Sequence, residues 1–262
     1  GQLGKTEMWY VLEAAPGASL VYGFRQDLTR AMLAASLEDD TVEKYLQKVE
    51  IHRGDVFLIE SGTVHAIGAG AMIVEIQESS NLTYRMYDYH RLGKDGRPRE
   101  LHIAKALDVV DLRQKPLPEQ LQRACEEHDG YSVELLEQCK YFRTERIHLD
   151  TLLSEKQPAS GVSVSSVQDM PVDAHEKTVD NASAEMSQDA SSRWMTDEKA
   201  VEAVRFSTGP DSFEVLLCVD GSGTLRGEDV ELSFRKGDCI FVPADSIGLE
   251  ISGTSELLKV TC

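Results

Sequence analysis

The chain has 262 residues, enough for one large or two modest domains with a self-sufficient core. Its formal net charge of -18 and pI near 4.8 argue against nucleic acid and anionic membrane surfaces as partners, because both need basic patches. No apolar run approaches the ~20 residues of a membrane span, no signal peptide is visible, and five cysteines without C-x-x-C spacing favour reduced thiols in a cytoplasmic protein.

In chain order, Met8–Glu13 is rich in β-branched and aromatic residues and predicts a strand, followed by a turn at Pro16-Gly17 and a strand over Leu20–Phe24. Leu28, Ala31, Met32 and Ala35 recur at helical spacing over 27–36. Asp40 and Glu43 fit a capping box opening a second helix to about Lys48, with Val42, Tyr45, Leu46 and Val49 as its apolar face. Val49–His52 resumes a strand. Asp55–Glu60 and Ala71–Ile76 then flank the segment SGTVHAIGAG (Ser61–Gly70), which reads as the bend of a β-hairpin with His65 on it. A His at such a place can offer a neutral ring nitrogen to a metal, although taken alone it reads more readily as a turn histidine.

Leu82–Tyr89 alternates strictly and predicts a strand carrying Arg85 among hydroxyl-bearing neighbours. Gly93–Pro98 is a loop, Leu101–Leu112 a helix ended by Pro116 and Pro118, and Glu119–Glu127 and Val133–Gln138 two further helices, so that 113–140 is expected to be a helical connection. Tyr141–Leu149 returns to β structure. Residues 155–199 are dominated by Ser, Asp, Ala, Glu and Gln and predict a flexible polar insertion, with a short helix over Thr196–Val204. From Phe213 onward short strands are expected at 213–219, 224–225, 230–234, 239–242, 249–251 and 257–261, with a turn at Asp220–Gly223. Cys218 and Cys239 fall in these strands and are expected in or near a core. Many short strands with Gly-bearing turns suggest a mainly β sandwich or closed barrel. Gly54-Asp-Val-Phe-Leu-Ile-Glu-Ser61 can be laid over Gly237-Asp-Cys-Ile-Phe-Val-Pro-Ala244, which places Gly248 opposite His65 and points to two similar β units.

The polar candidates for chemistry are Lys5, Glu7, His65, Glu75 and Arg85. Lys5 and Glu7 lie two apart on an incipient strand and point the same way. Glu7 and His65 are an acceptable oxygen and nitrogen pair for Zn2+, which usually takes three or more protein ligands. The residues alone stop at a β-barrel protein with an incomplete metal site.

GKTEMWY (Gly4–Tyr10), SGTVHAIG (Ser61–Gly68), TYRMYDYHR (Thr83–Arg91) and RELHIAKALDVV (Arg99–Val110) together resemble the bacterial short form of mannose-6-phosphate isomerase, a zinc-dependent family of the cupin superfamily. The resemblance is close over residues 1–112 and looser beyond. It implies two cupin-type jelly-roll barrels with a few inserted helices, a catalytic one over 1–112 and a second over 141–262. It also implies one zinc per complete chain, with Glu7 and His65 as two of its ligands. The family's Gln-x-His ligand motif precedes its Lys-x-Glu motif and is not in this sequence. The chain is therefore expected to lack an N-terminal part, and alone to bind zinc weakly and turn over negligibly.

The implied reaction interconverts mannose 6-phosphate and fructose 6-phosphate through an enediol(ate). Arg85 would stabilise the developing charge and Lys5 or Glu75 would transfer the proton, with Arg91 a weaker candidate for the substrate phosphate. Two alternatives stay open: a non-catalytic cupin that binds sugars or regulates, and a metal-dependent cupin enzyme of another class.

Overall fold

The computed structural model describes residues 4–118, 123–151 and 203–262, and the predicted insertion at 155–199 lies outside them. Two compact units are present, Gly1–Ala124 with Glu134–Glu145, and Cys125–Val133 with Arg146–Cys262. Both are mainly β. No helix among the described residues is long and apolar enough to cross a membrane.

In the first unit, β1 (Glu7–Ala14) is the centre of a sheet of order β4-β1-β6, with β4 at Val56–Ile59 and β6 at Ala71–Gln77. A second sheet has the order β3-β2-β5, formed by β2 (Ser19–Phe24), β3 (Leu46–Glu50) and β5 (His65–Ile67). Side-chain alternation divides β1 cleanly: Trp9 and Val11 pack with Phe57 and Ile59 of β4 against Ala18, Leu20 and Ile51. The Tyr22 hydroxyl donates to the Leu58 carbonyl at 2.9 Å and ties the two sheets together. The other face of β2 is buried too. Val21 and Phe24 pack with Leu28 and Leu33, with Val42, Leu46 and Met86, and with Ala106. This explains the uninterrupted apolar run Leu20–Phe24, since a strand buried on both faces has no polar side to alternate with. Each fully buried side chain of this size contributes about 1.5–3 kcal/mol. The outer cover is α1 (Arg30–Glu38), capped by Thr29, and α2 (Ile103–Val109).

The first unit corrects three expectations. The segment Ser61–Gly70 is not a hairpin bend: β4 and β6 lie on opposite sides of β1, and the chain between them crosses to the second sheet, where His65 pairs with Tyr22. The helix expected over 40–48 is a 3-10 turn at Val42–Lys44 followed by β3. Asp40 has a φ of 55°, which denies it the extended backbone of an N-cap, and the edge of β2 captures the residues that follow. Leu82–Tyr89 joins no sheet. Its alternation is real, with Met86 and Asp88 buried, but it pairs with no strand among the described residues, and positive φ at Tyr89 and His90 ends the extended run.

An eight-stranded sheet of order β12-β11-β14-β9-β8-β7, with β10 on β14 and β13 on β11, holds all the strand residues of the second unit. Its strands are β7 (Cys125–His128), β8 (Tyr131–Gln138), β9 (Arg143–Asp150), β10 (Val204–Phe206), β11 (Glu214–Arg226), β12 (Glu231–Arg235), β13 (Cys239–Val242) and β14 (Leu249–Thr261). The helical connection expected at 113–140 is thereby corrected. Residues 125–138 form a hairpin through Asp129-Gly130, with Gly130 at φ 82°, a turn signal the helical reading passed over; residues 119–122 lie outside the described residues, as does the helix expected over 196–204 up to residue 202. The expected turn at Asp220–Gly223 is a β-bulge inside one long strand: the register shifts between Cys218 and Asp220, and Gly221 has a φ of 74°. A Cβ at Gly221 would meet the Thr254 carbonyl at 2.2 Å, so only glycine fits. Cys218 is buried as expected; Cys239 is exposed, because on β13 Ile240 and Val242 take the inward positions.

The internal repeat extends to hydrogen-bond register. Glu7 pairs with Ile59 on one side and Gln77 on the other, and Glu214 pairs with Val242 and Thr261 in the same way. Both long strands carry a bulge at the same place, after Val11 and after Cys218. The preceding turns match as well: Gly54 N–H donates to Val11 O at 2.9 Å and Gly237 N–H to Cys218 O at 2.8 Å. Glu214 is thus the second unit's counterpart of Glu7, and both are buried.

Candidate metal and acid-base site

β1 and β6 place Glu7, Glu75 and Gln77 on one face of the first sheet, because directly opposed residues in an antiparallel pair share a face. Lys5, two residues before Glu7, joins them. Its ammonium lies 3.2 Å from Glu75 Oε1 and contacts Gln77 Oε1. Glu7 Oε2 is 3.1 Å away, close enough for an ion pair but outside hydrogen-bond geometry. From the facing sheet β5 brings His65, whose Nε2 is 2.8 Å from Glu7 Oε1. Trp9 supports that ring edge-on, with centroids 5.2 Å apart. The crossing at Ser61–Gly70 therefore carries a histidine from one sheet to a carboxylate on the other.

The charges are strongly interdependent. Burial pushes the Glu7 carboxyl upward, but hydrogen bonds from His65 and Glu75 and the attraction of the imidazolium outweigh it and hold the group at about 2. Glu75 moves the other way: its hydrogen bond to Glu7, burial and repulsion by Glu7 raise it against the pull of Lys5. Burial lowers Lys5, yet Glu7 and Glu75 together raise it. Burial also lowers His65, and Glu7 more than offsets this and raises it.

His65 Nδ1 is 2.8 Å from the Thr63 carbonyl, which can only accept, so Nδ1 carries a proton and Nε2 is the nitrogen left to face a cation. Glu7 Oε1 meets it there. The pair fits zinc in ligand type and tautomer but supplies only two ligands. Among the described residues no group of three or more His, Cys, Asp and Glu side chains could hold a metal ion.

The structure brings Lys5, Glu7, His65 and Glu75 together. Arg85 and Arg91 stand in other polar groups. Arg85 donates from Nη1 to the Glu100 carbonyl at 3.1 Å. Arg91 pairs with Asp88 at 2.7 Å, and Arg99 grips the same carboxylate. These arginines hold the buried Asp88 carboxyl well below the usual carboxylate range, Arg99 most strongly. Sequence reasoning missed Gln77, Thr63 and Asp88. The spacing of Glu75 and Gln77 could have found the first, since i and i+2 share a strand face; Thr63 acts through its backbone, which no side-chain pattern reveals.

A family model described as "Mannose-6-phosphate isomerase, cupin domain" matches residues 201–262. A putative mannose-6-phosphate isomerase of Bacillus subtilis, YvyI, is 28% identical over 98% of this chain and 64% of its own length. The crystal structure of a Bacillus subtilis mannose 6-phosphate isomerase superposes with a TM-score of 0.69 at 25% identity, covering 99% of this chain and 65% of that one. A mannose 6-phosphate isomerase solved with zinc and yttrium shares the fold, with a TM-score of 0.54 at 14% identity over 98% of this chain and 66% of that one. The chain spans somewhat less than two thirds of the length of these relatives. Over nearly its whole extent it is similar to mannose-6-phosphate isomerases, and its C-terminal part matches their cupin domain.

Proposed function

We propose that this chain carries the reacting face of a sugar-phosphate isomerase of the mannose-6-phosphate isomerase family, interconverting mannose 6-phosphate and fructose 6-phosphate. In this reading residues 1–112 form the catalytic cupin-type barrel and 141–262 the second. The observation that carries it is the convergence of Lys5, Glu7, His65 and Glu75 at one end of the first unit's facing sheets.

The reaction moves a proton from C2 to C1 and one between O2 and O1, through an enediol(ate), with no net oxidation and no co-reactant. Glu75 suits the carbon proton transfer. Its side chain is 37% exposed and its carboxyl is raised toward the neutral range by Glu7, whereas Lys5 is held protonated more firmly than an ordinary lysine. Lys5 then orients both carboxylates and keeps a positive charge beside them. Arg85, always a cation, would stabilise charge developing on the sugar oxygens, and Arg91 would take the phosphate. Glu7 and His65 would hold zinc together with further ligands, and a bound zinc would supply Lewis-acid polarisation of the sugar oxygens.

The test is the isomerase rate and zinc content of the complete gene product beside Glu75→Gln and Arg85→Ala. Large rate losses with zinc retained support the reading. Stoichiometric zinc without turnover of mannose 6-phosphate would favour a sugar-binding cupin instead.

A further inference from the structure

Arg85 lies in a segment with no strand partner among the described residues, so something other than a sheet must fix its backbone. One residue does so from both sides. The His102 N–H donates to the Arg85 carbonyl at 2.7 Å, and the Arg85 N–H donates to His102 Nδ1 at 3.1 Å. The second bond requires a bare Nδ1, so the ring carries its proton on Nε2. The neighbours reinforce the clamp. Tyr84 lies 6.1 Å from the His102 ring, centroid to centroid, and Met86 is buried with Ala106 of α2.

His102 is also the residue on which α2 begins, and α2 ends against the crossing that carries His65. The Asp111 N–H donates to the Gly62 carbonyl at 2.9 Å, and a Cβ on Gly62 would meet the Val109 carbonyl at 2.8 Å. A short rigid element therefore runs from the Arg85 peptide to within three residues of His65. We infer that His102 is a positioning residue: its imidazole locks the Arg85 peptide onto α2, and α2 indexes Arg85 to the His65-bearing crossing. The inference rests on the reading that Arg85 acts on the substrate.

The experiment uses the complete gene product. His102→Asn keeps an acceptor near the Nδ1 position, His102→Leu keeps the bulk without one, and His102→Gln carries its acceptor one bond further out. Displacement of a charge-stabilising group by about 1 Å costs on the order of 100-fold. His102→Leu is therefore expected to lower kcat by roughly 10- to 100-fold with KM little changed, and His102→Gln to do likewise, while His102→Asn recovers most of the loss. In an Arg85→Ala background His102→Leu should add nothing. Hydrogen exchange at the Arg85 amide should accelerate in His102→Leu and stay slow in His102→Asn. Unchanged exchange in both His102→Leu and His102→Gln overturns the clamp whatever the rates. Additive losses with Arg85→Ala, or His102→Asn as slow as His102→Leu, overturn the positioning role. Accelerated exchange with Arg85→Ala at the parent rate overturns the role of Arg85, and with it the catalytic consequence of the clamp. Should His102→Leu fail to fold, His102→Gln set against His102→Asn decides the same question.

Discussion

The Glu7–His65 contact makes a quantitative prediction for the chelator-treated protein. Nδ1 must donate to the Thr63 carbonyl and Nε2 must donate to the Glu7 carboxylate, so the contact as seen requires the imidazolium. Glu7 at about 2, against an ordinary 4.5, corresponds to roughly 3 kcal/mol in favour of the ionised carboxylate in the folded protein. His65 is 33% exposed, and Lys5 and Glu75 carry part of the effect, so the share of this single pair is about 2 kcal/mol. The depressed Glu7 contributes stability that is present above 4.5 and lost as pH falls through about 2. The raised His65 contributes stability that is full below 6.5 and lost as pH rises through its folded value. Above that value the neutral ring has one N–H for two acceptors, so either the Thr63 or the Glu7 contact loses its donor. Urea unfolding of the parent, Glu7→Gln, His65→Ala and the double variant should thus give a coupling of about 2 kcal/mol near pH 6 and a smaller one in alkali, above the folded value of His65. Equal coupling at both pH values, or none at the lower, would refute the imidazolium reading.

Three further outcomes are expected. Glu75→Gln should lower kcat by about 100- to 10,000-fold with a small change in KM, and remove the acid limb that the raised Glu75 carboxyl places above 4.5 in the pH–rate profile. Asp88→Asn should lower the thermal midpoint, since Arg91 and Arg99 lose their shared carboxylate. Asp88 is depressed, so its stabilisation holds above 3.8 and fades below, and parent and variant midpoints should converge in acid. Glu214→Gln should leave stability unchanged or raise it by up to about 1 kcal/mol in urea melts, because Glu214 Oε2 is buried without a hydrogen-bond partner among the described residues. A loss larger than that would reveal a hidden partner.

β6 and β9 were legible because a half-buried pleat leaves its period in the sequence, and β1 and β2 because a strand buried on both faces reads as a dense apolar run. What failed was partner choice. The same alternation over Leu82–Tyr89 made no strand, since pairing depends on an edge that local sequence does not encode. Val42, Tyr45, Leu46 and Val49 satisfied a helical period and equally a turn followed by β3. Asp220–Gly223 looked like a turn because glycines serve bulges and turns alike. At the site, the convergence of Lys5, Glu7, His65 and Glu75 could be named from motifs, but the direction of the crossing, the Thr63 carbonyl behind His65 and the His102 clamp on Arg85 are tertiary facts. The repeat at Gly54 and Gly237 proved deeper than its six similar positions suggested, because register and bulge recur where side chains have diverged.

In the proposed reading Glu7, His65 and Glu75 belong to one zinc-assisted isomerase site. Its most direct measurement is the conversion of mannose 6-phosphate to fructose 6-phosphate by the complete gene product, with zinc counted in the same samples, for the parent, His65→Ala and Glu75→Gln. His65→Ala is expected to lose zinc and activity together, and Glu75→Gln to keep zinc and lose activity. Parent-level turnover in either variant would contradict the proposed site.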